Sequence, residues 1–138
     1  MGFPYRDAEQ AKAFVLEFIE RLRGVDVIRE GWQKLDMLIA IHIKQPDIDF
    51  WIDTRGGKLE LLTEKPDGEE EAALTLTADL FHKLYTGQEN AMMAFTQRKI
   101  QPKGRVSGIM QLTSTMPQAV AVYREYLKEK GLEGSATT

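Results

Sequence analysis

The sequence predicts an α+β domain, a five-stranded, mostly antiparallel sheet with helices packed on one face, on three observations. An amphipathic helical stripe opens the chain and another closes it. Five stretches of strand character lie between them, and turn residues separate the first three of these. The chain has 138 residues, 43% hydrophobic and 28% charged, with no repeat, linker or low-complexity segment, so one domain is expected over 1–138. At this size folding buries roughly two-thirds of the chain's surface, enough for one ordinary core.

In 7–24 the apolar residues Ala8, Ala11, Phe14, Val15, Phe18, Ile19 and Leu22 recur at three and four, the spacing of one helical face. Asp7 is placed to cap this helix, Gln10 stands where a capping box needs it, and Gly24 can end it. The stretch 25–32 is too short to assign. From Met37 the period becomes two: Met37, Ile39, Ile41 and Ile43 share one face of a first strand, and Ile48, Phe50 and Ile52 share one face of a second, with Pro46 between them. Arg55-Gly56-Gly57-Lys58 is a strong turn signal, because paired glycines accept the positive φ of tight hairpins. Residues 59–62 read as the returning strand of an antiparallel meander. The following segment 64–71 holds five acids, one lysine, Pro66 and Gly68, and reads as a solvated loop.

Residues 73–77 alternate as a fourth strand. Thr77 or Asp79 then caps a helix bearing Leu80, Phe81, Leu84 and Tyr85, with Gly87 beyond its end. A short helix follows from Asn90 through Met92, Met93 and Phe95. Residues 101–112 are expected as a fifth strand with Val106, Met110 and Leu112 on one face. Pro102, which lacks an amide donor, marks its start as an edge or bulge. Pro117 suits the first turn of a last helix lined by Met116, Ala119, Val120, Tyr123 and Leu127 and ended by Gly131. Residues 133–138 are expected to fray.

Composition excludes several classes of function. The longest apolar run, 37–41, is far too short to span a membrane, and no signal-like segment opens the chain. With no cysteine there is no disulfide framework or thiolate nucleophile, and a cytoplasmic location is the simplest expectation. Eighteen basic against 21 acidic side chains give a net charge of -3, which removes any electrostatic argument for nucleic acid. His42 and His82 have no second ligand at metal-binding spacing, so neither a metal nor a cofactor is expected. His42 falls on the sheet face opposite the isoleucines. Asp47, Asp49 and Asp53 share one parity and read as the wet face of a half-buried strand rather than as acid–base partners. No Gly-x-Ser-x-Gly, phosphate-loop or dinucleotide motif occurs, and no catalytic residue is assigned.

The apolar surplus is more informative. Met92, Met93, Phe95, Met110 and Met116 accompany Phe81, Leu84, Tyr85, Val120 and Tyr123 in the C-terminal half, and methionine suits adaptable packing. Plain core and a lipid-lined cavity both fit this pattern.

Four segments together resemble the sterol carrier protein type two family. They are Ala73-Leu74-Thr75-Leu76-Thr77-Ala78-Asp79-Leu80-Phe81; Leu84-Tyr85-Thr86-Gly87; Asn90-Ala91-Met92-Met93-Ala94-Phe95; and Lys103-Gly104-Arg105-Val106-Ser107-Gly108-Ile109-Met110-Gln111-Leu112. Their order and spacing carry the resemblance, since no one of them is specific. It implies an apolar tunnel enclosed by sheet and helices that holds a fatty acid, acyl-CoA, sterol or isoprenoid without catalysis. The implied wall is Phe81, Leu84, Met92, Met93, Phe95, Val106, Met110, Met116, Val120 and Tyr123. Pro102 replaces a usual apolar strand residue, and Gln111 and Thr113 stand where members often place a head-group contact. The chain ends without a peroxisomal Ser-Lys-Leu.

Arg98, Lys99, Lys103 and Arg105 are four cations within eight residues, with no acid among them. A solvated face is the ordinary reading, and the functional one is contact with acyl-CoA phosphates or an acidic membrane surface. Two rivals to lipid transfer remain. One is an interaction module with a tunnel filled by methionines. The other is an accessory that presents a lipid intermediate to an enzyme, with Trp51 and Ile109 expected on the surface as a partner or homodimer contact.

Overall fold

A computed structural model describes residues 3–132, so the tail expected to fray lies outside the described residues. The elements run α1 (Ala8–Arg23), α2 (Asp26–Gln33), β1 (Leu38–Lys44), β2 (Ile48–Asp53), β3 (Glu60–Leu62) and β4 (Ala72–Thr77). They continue with α3 (Ala78–Tyr85), α4 (Ala91–Thr96), β5 (Gln101–Gly104), α5 (Val106–Thr113) and α6 (Met116–Glu129). The five strands form one sheet in the order β3-β2-β1-β4-β5. All neighbouring pairs are antiparallel except the central β1–β4 pair, which is parallel.

Register makes one face of this sheet continuously apolar. Ile39 lies between Ile52 and Ala72, Ile41 between Phe50 and Leu74, and Ile43 between Ile48 and Leu76. Successive side chains of a strand alternate in direction, so these rows share a face and must be covered. The opposite face carries His42 beside Asp49, with Nδ1 2.7 Å from Oδ1, as alternation predicts. Trp51, across from Ala40, donates from Nε1 to Glu70 at 2.8 Å.

The expected caps form. Asp7 accepts from the Gln10 amide, Thr77 from the Leu80 amide and Asn90 from the Met93 amide. Asp79, the alternative cap, instead accepts from the Phe3 amide at 2.8 Å. The helical layer is held by polar contacts inside apolar packing. Tyr126 donates to the Phe14 carbonyl at 2.8 Å, the Tyr123 hydroxyl lies 2.8 Å from His82 Nδ1, and Trp32 Nε1 donates to Thr115 Oγ1 at 3.2 Å. Phe14 and Phe18 stack against Tyr126, joining α1 to α6.

Two expectations are corrected. The strand expected over 101–112 ends at Gly104, and Val106–Thr113 is the helix α5. Gly104 has φ 79, and a Cβ there would run into the Glu71 carbonyl, so the chain must leave the sheet at this residue. Beyond it, Val106, Ile109, Met110 and Thr113 follow the three-and-four spacing of a helix. Gly108, unfavourable in a helix interior, lies against the buried Met37 side chain, whose thioether would have to shift to admit a Cβ there. Pro102 does lie on an edge strand.

The second correction concerns Asp53, expected on a wet face but only 1% exposed. Its Oδ1 accepts from the Arg55 amide at 3.1 Å and from Arg55 Nε at 2.9 Å. Its Oδ2 accepts from Arg55 Nη2 at 2.8 Å and lies 3.2 Å from Lys58 Nζ. The turn between β2 and β3 thus folds two cations back over the carboxylate, with Gly56 at φ 70 and Gly57 at φ 82 allowing it. The Arg55 guanidinium, with the Arg55 amide and Lys58, holds the Asp53 carboxyl well below the usual range against the opposing effect of burial. A lowered native value means that the unfolded chain takes up the proton first. The contribution to stability is therefore complete above the unfolded value of about 3.9 and is lost as pH falls through the native value. Asp53→Asn is expected to cost about 1–3 kcal/mol near neutral pH. In urea unfolding the gap from wild type should narrow below about pH 4, and a constant gap would contradict this account.

Candidate functional site

The apolar sheet face is not sealed completely by the helices above it. A cavity of about 70 Å3 remains, with Ile41, Phe50, Ile52, Leu74 and Leu76 as its floor. Ile19 of α1, Trp32 of α2, and Phe81, Leu84 and Tyr85 of α3 close one side. Ala91 and Phe95 of α4, Ile100, Ile109, Leu112 and Thr113 of the next segment, and Met116 of α6 close the other.

A second, more open groove of about 330 Å3 lies outside this cavity, between α4 and the start of α6. Met92, Asn90, Pro117 and Val120 line it, and it shares Leu84, Ala91, Thr113 and Met116 with the inner cavity. Those four residues are the partition between the two spaces. Leu84 is buried, while Ala91, Thr113 and Met116 are half-buried, so three of the four stand at the surface as well as at the cavity.

The expected wall residues divide accordingly. Phe81, Leu84, Phe95 and Met116 line the inner cavity, and Met92 and Val120 line the groove. Tyr123 is fully buried away from both, in an aromatic cluster with Phe14, Phe18 and Phe81. Met93 and Val106 are 56% and 43% exposed, and Met110 is half-buried beyond the cavity lining. The change of α5 from strand to helix explains the last two. Alternation turned Val106 and Met110 inward and Ile109 outward, whereas the helix turns Ile109 inward, where it is 1% exposed. Ile109 therefore lines the cavity instead of marking a partner surface, and Trp51 is half-buried against Glu70.

Sequence reasoning also missed Ile19, Trp32, Tyr85, Ala91, Ile100, Leu112, Thr113 and the five sheet residues of the floor as cavity residues. The strand period that identified the floor as core was the available signal.

The cavity is poor in polar groups. Thr113 Oγ1 donates to the Met110 carbonyl at 2.6 Å, and Trp32 Nε1 is bonded to Thr115. Tyr85 lines the cavity beside Phe18 and Phe81, and enclosure by apolar side chains pushes its phenol up to about 12. It is thus a neutral hydroxyl at physiological pH. Of the two residues that depart from the family pattern near its head-group position, Gln111 is exposed and lines neither space, whereas Thr113 lines both. This arrangement can enclose hydrocarbon and offer a few hydroxyls at its edge.

The four expected cations do not converge on one point. Lys99 lies 3.2 Å from Glu89, Lys103 sits on the edge strand β5, and Arg105 precedes α5. Arg98 occupies a turn with φ 61. All four are exposed.

A family model described as the SCP-2 sterol transfer family matches residues 19–117. Among solved structures the chain is similar to apo sterol carrier protein 2 from Yarrowia lipolytica, at 21% identity, 69% of this chain, 74% of that chain and a TM-score of 0.52. It is also similar to a conserved hypothetical protein from Thermus thermophilus, possibly a sterol carrier protein, at 12% identity, 91% of each chain and a TM-score of 0.60. The ubiquinone synthesis protein UbiJ-SCP2 matches at 12% identity, 81% of this chain, 94% of that chain and a TM-score of 0.56. A comparison with curated proteins finds no match.

The helical register of α5 has a direct consequence. Ile109→Ala is expected to destabilise the protein by about 2–4 kcal/mol, whereas Val106→Ala should stay within about 0.5 kcal/mol of wild type. Urea unfolding of the two variants measures this, and the reverse order would restore the strand.

Proposed function

The chain belongs to the SCP-2 sterol transfer family, and from that premise we propose that it is a non-catalytic lipid-binding or lipid-transfer protein. Its ligand is a fatty acid, acyl-CoA, sterol or isoprenoid, with the apolar part held between the sheet and the helices. One observation carries this reading: the inner cavity and outer groove share Leu84, Ala91, Thr113 and Met116 in their linings.

Volume decides how such a ligand is accommodated. The inner cavity of about 70 Å3 is well below the roughly 300–1,000 Å3 of ordinary ligand sites. The groove adds about 330 Å3, and the two together, at about 400 Å3, enter that range. Joining the two volumes therefore requires the shared side chains to move. Met116 is the side chain best suited to do so, because its unbranched thioether changes shape at little cost. The proposed lining comprises Phe81, Leu84, Phe95, Ile109, Leu112 and Met116 over the sheet floor, with Met92 and Val120 at the mouth. Tyr85 and Thr113 are the hydroxyls that meet a head group.

Burial of a ~16-carbon chain yields roughly 13 kcal/mol gross at about 0.8 kcal/mol per methylene. Association costs about 4–15 kcal/mol, and opening the partition adds to that, so chain length alone does not set the affinity. Apolar burial is non-directional, which favours a broad range of ligands limited by cavity length.

A second reading has the small inner volume in its favour. In it the chain is an accessory module with a closed interior, as an assembly partner in lipid-intermediate chemistry would be. UbiJ-SCP2, a ubiquinone synthesis protein by name, provides the analogy. The readings separate in solution.

On the first reading, Ala91→Trp, which fills the partition from the groove side, should weaken displacement of a fluorescent fatty-acid probe at least about tenfold while leaving the fold intact. Met116→Ala should strengthen or preserve probe uptake. Mass spectrometry of organic extracts from the purified wild type should find lipid. Absence of both extracted lipid and probe binding would leave the accessory reading in place.

A further inference from the structure

From Asn90 to Arg124 the sequence contains no aspartate or glutamate, so all 21 acids lie outside this segment. The same segment carries Arg98, Lys99, Lys103, Arg105 and Arg124. A chain of net charge -3 is thus divided into an acidic body and a basic part made of α4, β5, α5 and most of α6.

Ion pairing sharpens the division. Arg6 is paired with Asp79, Arg21 with Glu129, Arg23 with Glu20, Arg29 with Asp26 and Arg55 with Asp53, and Arg124 donates to the Thr86 carbonyl. Among the described residues Arg98 and Arg105 are the arginines whose side chains have no such partner, and Lys103 has none either. Of the acids around the segment, three have partners and Glu125, which follows Arg124, stands exposed without one among the described residues. Glu89 pairs with Lys99, Glu70 accepts from Trp51, and Glu71 accepts from the Leu38 amide.

Most of the exposed apolar side chains fall in the same segment. The large hydrophobics that stand exposed among the described residues are Val27, Met92, Met93 and Val106, and three of these lie in the acid-free segment. Met92 and Met93 are 52% and 56% exposed, on a helix whose buried residue is Ala94. Met92 also lines the outer groove. Exposed apolar side chains next to uncompensated cations match a surface that is anionic at its plane and hydrocarbon below it.

We infer that the α4–β5–α5 surface docks on an anionic phospholipid bilayer, with Arg98, Lys103 and Arg105 against the head groups and Met92 and Met93 inserted beside them. This rests on the lipid-transfer reading for its purpose, since docking there brings the groove mouth to the hydrocarbon. The binding itself is tested separately.

Co-sedimentation with vesicles of phosphatidylcholine alone and of equimolar phosphatidylcholine and phosphatidylglycerol provides the test. The wild type is expected to partition onto the anionic vesicles and to be released by salt. Each cation removed should weaken partitioning about fivefold, so the Arg98→Ala/Lys103→Ala/Arg105→Ala triple should lose on the order of 100-fold. Met92→Ser/Met93→Ser should weaken it on both kinds of vesicle. Lys12→Ala/Lys34→Ala/Lys128→Ala, an equal change of charge at exposed lysines elsewhere, should leave it near wild type.

Equal binding to both vesicle compositions, or equal losses in the two charge triples, would overturn the inference. So would a loss of palmitoyl-CoA affinity in the first triple with vesicle binding unchanged, which would assign these cations to a free ligand's phosphates. Displacement of the fatty-acid probe in vesicle-free solution separates the two ideas. Probe uptake without anionic selectivity sinks the docking surface alone, and anionic selectivity without probe uptake sinks the cavity alone.

Discussion

The apolar ladder on one face of the sheet is the constraint from which the rest follows. Ile39, Ile41 and Ile43 lie between Ile48, Phe50 and Ile52 on one side and Ala72, Leu74 and Leu76 on the other. A face of this breadth has to be removed from water, and at about 25 cal/mol per Å2 its burial dominates the local energetics. The chain supplies helices for that purpose from both of its ends, and they do not cover the face equally.

On one side the cover is dense. α1, α3 and α6 meet through Phe14, Phe18, Phe81, Tyr123 and Tyr126, and the phenols are bonded to the Phe14 carbonyl and to His82. On the other side α4 buries Ala94 and α5 buries Gly108 and Ile109. Fewer buried contacts mean a lower cost of local opening, and elements that admit ligands are drawn from such regions. The partition of Leu84, Ala91, Thr113 and Met116 joins the two kinds of cover, with Leu84 anchored in the dense half and Ala91 and Thr113 in the light one. The light half, α4 and α5, lies within the acid-free segment, so the part of the cover with the fewest buried side chains belongs to the surface proposed for an anionic bilayer.

Local periodicity made most of this legible in the sequence. Alternation fixed β1, β2 and β4 and the inward faces of the first two, and Asp7, Thr77 and Asn90 marked helix starts that the structure keeps. Three features escaped for definite reasons. In 106–112 the β-branched Val106 and the helix-weakening Gly108 favoured strand, while the Val106, Ile109, Met110 spacing favoured helix. In the structure Gly108 packs against Met37, a contact distant in sequence that neither local signal reveals. Asp53 continued the wet parity of β2, but its burial depends on Arg55 and Lys58 folding back through a turn. The parallel β1–β4 pair and α2, marked by only Ile28 and Trp32, are products of tertiary packing with little local signal. Because the site is assembled from every layer, an error of one element moved Val106, Ile109 and Met110 while leaving Phe81, Leu84, Phe95 and Met116 in place.

In the proposed function a lipid enters by displacing the Met116 side chain and joining the groove to the cavity. Carbon-13 methyl spectra of the methionines during a titration with oleic acid test it most directly. The account predicts large saturable shifts at Met116, smaller ones at Met92, and little change at Met37, which is buried against Gly108 outside the lining. A titration that moves only the exposed Met93, or no methionine at all, would contradict it.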